Sequence, residues 1–175
     1  MKFIKILLIS LVTLAVLLGV TGLFLPDSAH VERSISINAP ASKVFPLVNN
    51  MKRFNEWSPW AGIDPDASYE YSGPDAGPGA MMSWASEDPS LGEGSMKITA
   101  SSPERVETYL DFGNQGDANA YLTLVENGDV TVVTWGFDTE FRGDIIQRYF
   151  GLAMDAMVGG SYEDGLAKLK TVAES

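Results

Sequence analysis

The 175-residue chain contains no cysteine and a single histidine, His30. The first absence rules out a disulfide framework, a thiolate metal site and a cysteine nucleophile. With one histidine and no cysteine, neither a Ser-His pair within the domain nor a Cys-His pair suggests itself. Basic residues are scarce too. Twelve Lys and Arg stand against 23 Asp and Glu, for a formal net charge of −11, and no basic run exceeds Lys52-Arg53. That balance argues against nucleic acid as a partner and against charge-driven docking of the domain onto anionic headgroups. Loop acids occur at Asp64-Pro65-Asp66 and Glu87-Asp88, but nothing near them follows the D-x-[DN]-x-[DN]-G spacing of a calcium loop. No metal ligand set and no cofactor is expected. Asp111 shares the exposed face of its strand with Arg105 and Glu107 by parity, while Glu93 and Arg142 fall at strand ends, so no catalytic residue is assigned.

Long apolar runs, by contrast, are present once. Ile6 to Leu25 holds 15 apolar residues in 20 and no charge. A helix of that length covers about 30 Å, the thickness of a bilayer's hydrocarbon core. Lys2 and Lys5 precede it, and Pro26 and Asp27 follow. The positive-inside rule then expects residues 1–5 in the cytoplasm, 6–25 as a single-pass anchor in a bacterial inner membrane, 26–30 as a linker, and 31–174 as a domain on the periplasmic, extracytoplasmic side. The competing reading is a cleaved signal peptide. The run is long for one, and Asp27-Ser28-Ala29 carries an acid where a small residue belongs.

Beyond residue 30 the pattern is mostly period two. Val31, Ile35 and Ile37 share one face of a strand. Pro40 opens a short helix with Val44, Phe45, Leu47 and Val48 on its apolar side, which Pro46 should shorten or bend, and a second short helical or turn segment runs from Met51 to Trp60. Tyr69–Ser72, Ala80–Ser86, Gly94–Ser101, Arg105–Phe112, Ala118–Glu126 and Val130–Phe141 read as six strands, with Asn127-Gly128 as the sharpest hairpin signal. Asp144 to Val158 reads as helical, Gly159-Gly160 as a break, and Ser161 to Ala173 as one long helix. That last helix carries Tyr162, Leu166, Leu169 and Ala173 in a stripe, with Ser161 and Asp164 as its capping box. Strands without intervening helices imply an antiparallel sheet with one face to bury, and the last helix is the element to cover it. The fold class is α+β, in the order β-α-α-β6-α after the apolar segment.

That order, together with RSISINAP at Arg33–Pro40, Val44-Phe45, the WSPW of Trp57–Trp60, Ser72-Gly73-Pro74, Gly92-Glu93-Gly94, Val133-Thr134-Trp135 and Gly165-Leu166 through Leu169-Lys170, resembles the helix-grip fold of the START/Bet v 1-like superfamily. Within it, the chain is similar to the polyketide cyclase/dehydrase-like (SRPBCC) branch. The resemblance implies a curved antiparallel sheet wrapped on the long C-terminal helix, enclosing a cavity for a hydrophobic small molecule, lipid- or polyketide-like.

On that fold, the expected cavity residues are Trp57, Trp60, Trp84, Phe112, Tyr121, Trp135, Phe137, Tyr149, Met154 and Met157. Met81, Met82 and Met96 could add adaptable wall. For any one of these, ordinary core packing is the competing role. The function expected is a membrane-anchored binding or carrier domain. Two alternatives stand beside it: a cyclase/dehydrase-like enzyme, which needs a titratable group inside the cavity, and a cochaperone-like protein-interaction domain, which needs an exposed apolar patch such as one at Trp57 and Trp60.

Overall fold

Alternation along the strands sorts the sheet into a core face and an outer face. In β6 (Asp117–Asn127), Ala118, Ala120, Leu122 and Leu124 are buried, while Asn119, Tyr121 and Thr123 face the other side. In β7 (Val130–Glu140), Thr131, Val133, Trp135 and Phe137 continue the core face. The computed structural model describes residues 2–175. Its other elements are α1 (Lys2–Gly22), β1 (Ser28–Ile37), α2 (Ala41–Val48), α3 (Met51–Phe54), β2 (Ser68–Ser72), β3 (Met81–Ala85), β4 (Glu93–Ser102), β5 (Arg105–Asp111), α4 (Ile145–Gly151) and α5 (Met154–Glu174). The strands form one antiparallel sheet in the order β1-β7-β6-β5-β4-β3-β2. A register shift between Ile98 and Ala100 marks a bulge, the kind of feature that bends a sheet around its partner helix. This is the helix-grip architecture.

The Asn127-Gly128 signal resolves into a two-residue hairpin. Asn127 pairs with Val130, and Gly128 takes the positive φ of 64° that the turn demands. Pro46 lies inside α2, which ends two residues later. Asn50 caps α3, its side chain accepting from the Lys52 and Arg53 amides, and Asp144 does the same for α4 through Ile146 and Gln147.

Three boundaries differ from the sequence reading. The strand β1 reaches back to Ser28, where it pairs with Glu140. The helical stretch from Asp144 is two helices, α4 ending at Gly151 and α5 starting at Met154. Most consequentially, α5 runs straight through Gly159-Gly160, so Ser161 is interior and caps nothing. The reason lies across the interface. A Cβ on Gly159 would overlap the Arg33 guanidinium of β1, which pairs with Asp155 at 2.8 Å and Glu163 at 2.7 Å. Glycine here permits a close helix–strand approach, and packing outweighs its helix penalty of about 1 kcal/mol. The stripe itself holds: Tyr162, Leu166, Leu169 and Ala173 are all buried against the sheet.

At the N-terminus, α1 has the length and composition of a membrane span or a signal sequence. Its side chains are exposed, and only the backbone at Gly19 and Gly22, near the end that meets the domain, is covered.

Candidate ligand cavity

The two ends of the sheet are packed differently. Near the β6–β7 hairpin, α2 and the C-terminal half of α5 fill the core with Ile37, Val44, Val48, Ile98, Leu124, Val133 and Leu169. Toward the opposite end, where Ser28 pairs with Glu140 and β5 turns into β6, the sheet and α5 leave a cavity of about 360 Å³. That volume lies within the range of small-molecule pockets. Its walls are apolar: Tyr69, Met82 and Trp84 from β2 and β3, Met96 from β4, Leu110 and Phe112 from the end of β5, Ala120 from β6, Trp135 and Phe137 from β7, Met154, Val158 and Tyr162 from α5, with Phe54 and Trp60 from the short-helix corner. Glu93, Gln115 and Asp117 supply polar groups where loops and strand ends meet the cavity.

Aromatic rings organise the wall. Trp135 and Tyr162 stack with centroids 3.9 Å apart and planes 12° from parallel, and Trp60 meets Trp135 edge-on at 5.8 Å. Trp84 is held by its indole N–H, which donates to the Leu91 carbonyl at 3.3 Å, and lies edge-on to Phe112 at 6.1 Å. The ring fits because residue 94 is glycine: a Cβ there would come within 2.5 Å of the Trp84 ring and 2.8 Å of the Asp111 carbonyl.

Tyr162 is the polar group set deepest in this wall. It is 2 % exposed, and burial pushes its phenol well above the ordinary tyrosine value, with the charge of Asp138 adding to the shift. It therefore stays protonated and offers an O–H that no group among the described residues accepts. Tyr69 is shifted upward as well, first by burial and then by the nearby Tyr71 and Asp64. The cavity thus presents apolar surface with a phenolic hydrogen-bond donor, and its carboxylates, Glu93 and Asp117, belong to strand ends rather than to the deep wall.

Of the ten residues expected at the cavity, Trp60, Trp84, Phe112, Trp135, Phe137 and Met154 line it. Four lie elsewhere. Trp57 sits behind the wall, fully buried, donating to the Leu47 carbonyl at 3.0 Å and packing edge-on to Trp135; it offers no exposed patch for a partner protein. Tyr121 has the wrong parity: it occupies the outer face, its ring across Gly136 and under Arg105, its hydroxyl donating to Glu32 at 2.5 Å. Tyr149 turns toward α1, where its hydroxyl donates to the Leu18 carbonyl at 2.7 Å. Met157 faces solvent at 62 % exposure. Sequence reasoning passed over Tyr162, Tyr69, Phe54, Leu110 and Ala120. For Tyr162 the signal was present, a lone aromatic in a stripe otherwise made of Leu and Ala.

Among the described residues, no group of three or more His, Asp or Glu is placed to hold a metal. His30 lies in β1 rather than in a linker, with Nδ1 2.7 Å from Asp138 on the face away from the cavity.

The profile of the family described as "Polyketide cyclase / dehydrase and lipid transport" matches residues 28–174. No match was found among curated proteins. Among solved structures, norcoclaurine synthase from Thalictrum flavum, in complex with dopamine and hydroxybenzaldehyde, is 10% identical with a TM-score of 0.64, over 83% of this chain and 86% of that one. The protein DynU16 of the dynemicin biosynthetic locus is 17% identical with a TM-score of 0.60, over 86% of this chain but 48% of that chain. This chain thus spans about half the length of DynU16. Ara h 8.0201 is 15% identical with a TM-score of 0.56, over 85% of this chain and 99% of that one. At these identities the likeness is one of fold.

Proposed function

We propose that this chain, which belongs to the polyketide cyclase/dehydrase and lipid transport family, binds and carries an apolar small molecule while α1 holds it at a membrane. The observation that carries this reading is the cavity of about 360 Å³, lined by Trp, Phe, Tyr and Met, with a protonated Tyr162 hydroxyl available to it. Such a site suits a largely hydrocarbon ligand with one hydrogen-bond acceptor, a carbonyl, ester or hydroxyl oxygen. The length of α1 and the lysines before it favour an anchor with the domain on the extracytoplasmic side. Tethering there raises the local concentration of a membrane-dissolved ligand at the cavity.

Mass spectrometry of the full-length protein, extracted from its own membranes, tests the reading. A stoichiometric apolar species that disappears from an Ala120→Leu variant of intact fold supports it. A protein recovered empty, which also takes up no added apolar probe, refutes it. Turnover of the recovered species by the purified protein would instead make the same cavity an enzyme's.

A further inference from the structure

The C-terminal end of α1 is seated on the domain, and α4 is what it sits on. Gly22 lies against Ile145 and Tyr149 so closely that a Cβ would overlap the Ile145 side chain. Tyr149 donates its hydroxyl to the Leu18 carbonyl, and Arg148 donates Nη1 to the carbonyls of Leu23 at 3.3 Å and Leu25 at 3.1 Å. Those carbonyls lie just beyond the helix, where the macrodipole is negative and a guanidinium is favoured.

Around this junction the surface is apolar. Leu23, Phe24, Ile146, Phe150, Leu152 and Met157 are between 59 % and 85 % exposed. Ile146 and Phe150, four residues apart, share one face of α4, turned away from Ile145 and Arg148 on the side that grips α1. So much exposed apolar area close together is rare on a monomeric soluble surface and marks a contact site. The same end of the fold holds the cavity: Gln115, Asp117 and Thr139 contribute to its wall there, and Met154, two residues after Leu152, is also in the wall.

We propose that α4 and the α4–α5 turn are an interfacial docking surface. Ile146, Phe150, Leu152 and Met157 enter the headgroup–acyl boundary of the same bilayer that α1 crosses, bringing the adjoining cavity end to the lipid. This rests on the reading of α1 as an anchor. The occupant is lipid because the patch is continuous with α1, whose exposed apolar length covers about 31 Å. An element fixed to the last turn of a membrane-spanning helix lies at the interface, where exposed Phe, Leu and Ile sink about 5–10 Å. With 23 acids against 12 bases in the chain, the contact is apolar burial into zwitterionic lipid rather than attraction to anionic headgroups.

The absence of cysteine makes a clean test available, because a single introduced cysteine carries the only spin label. Full-length protein in phosphatidylcholine vesicles is labelled in turn at Phe150→Cys, Leu152→Cys, Leu14→Cys in α1 and Asp129→Cys. The last site is in the β6–β7 hairpin, about 35 Å along β7 from the α1 end. Relaxation by oxygen reports hydrocarbon, and relaxation by a water-soluble nickel chelate reports water. The expected result is that labels at 150 and 152 fall between the mid-bilayer label at 14 and the label at 129, several-fold more sensitive to oxygen relative to nickel than the latter. If 14 is embedded while 150 and 152 match 129, the docking surface is refuted and the anchor stands. If 14 is itself in water, both fall. Labels at 150 and 152 immobilised and reached by neither reagent would identify a protein contact and refute lipid as the occupant.

Discussion

The indole of Trp135 and the phenol of Tyr162 lie almost parallel, 3.9 Å between ring centres, one from β7 and the other from α5. The pair ties the terminal helix to the sheet at the place where packed core gives way to cavity. One turn further along α5, Gly165 makes the approach possible, since a Cβ there would stand 2.8 Å from the Trp135 ring and 2.9 Å from Pro59. A single stacked pair therefore has two duties, gripping the helix and forming wall.

Those duties separate by mutation. Trp135→Ala removes a buried indole that touches Phe54, Trp57, Trp60 and Tyr162, and should destabilise the domain by about 3–5 kcal/mol in urea unfolding. Tyr162→Phe keeps the stack and deletes one hydroxyl without a protein partner, so its stability should change by less than about 1 kcal/mol. Its effect should fall on ligands: weaker binding of an apolar probe bearing a carbonyl or hydroxyl, unchanged binding of the matching hydrocarbon. Equal losses for both probes would show that the hydroxyl does not face the ligand.

Filling the cavity should be nearly free of structural cost. Ala120 is buried on β6 with its methyl group directed into the cavity wall. Leucine there occupies ligand volume that no side chain holds, so Ala120→Leu should melt within a few degrees of the parent while losing uptake of a fluorescent fatty acid. A fall in stability of the usual overpacking size, about 1–3 kcal/mol, would mean the space is smaller than it looks.

The helix–sheet seam gives a prediction of opposite signs at adjacent residues. A Cβ on Gly160 would meet nothing within 4 Å, so Gly160→Ala should gain the helix preference of about 1 kcal/mol, or about 2–4 °C in Tm. Gly159→Ala should lower Tm, because its methyl group would displace the Arg33 guanidinium from Asp155 and Glu163. If both substitutions stabilise, Arg33 is free to move and the seam is looser than the ion pairs indicate.

This seam also shows what the sequence could and could not reveal. Strand parity put Val31, Ile35 and Ile37 on one face of β1, and the Tyr162–Leu166–Leu169–Ala173 stripe identified the covering helix. Alternation along β6 sets Tyr121 on the face opposite Ala120 and Leu122, a distinction that its aromatic character does not carry. Gly159-Gly160 looked like a helix break because helix propensity is local, whereas the reason for glycine sits on Arg33, far away in the sequence. The cavity was legible only as a family resemblance. Periodicity distinguishes inside from outside, but whether an inward side chain meets a neighbour or empty space depends on how far α2 and α5 reach along the sheet. Tyr149 was misplaced for a related reason: α4 was read as part of the core, when one side of it serves α1. Met157 lies in α5 but off the stripe that faces the sheet, and is left in solvent.

The Arg33 cluster finally sets a pH dependence. Hydrogen bonding from Arg33 holds the Asp155 carboxyl below the usual aspartate range, and the guanidinium itself is pushed further toward the charged state by Asp155 and Glu163. Because the folded value of Asp155 is depressed, its contribution is fully present above the unfolded value of about 3.9 and is lost as pH falls through the lower folded value. Asp155→Asn should therefore melt below the parent at neutral pH, and the gap should close as the pH falls below about 4. Asp155 is well exposed, so the gap should also shrink in high salt. A gap independent of both pH and salt would assign the loss to hydrogen-bond geometry at the start of α5 instead of to charge.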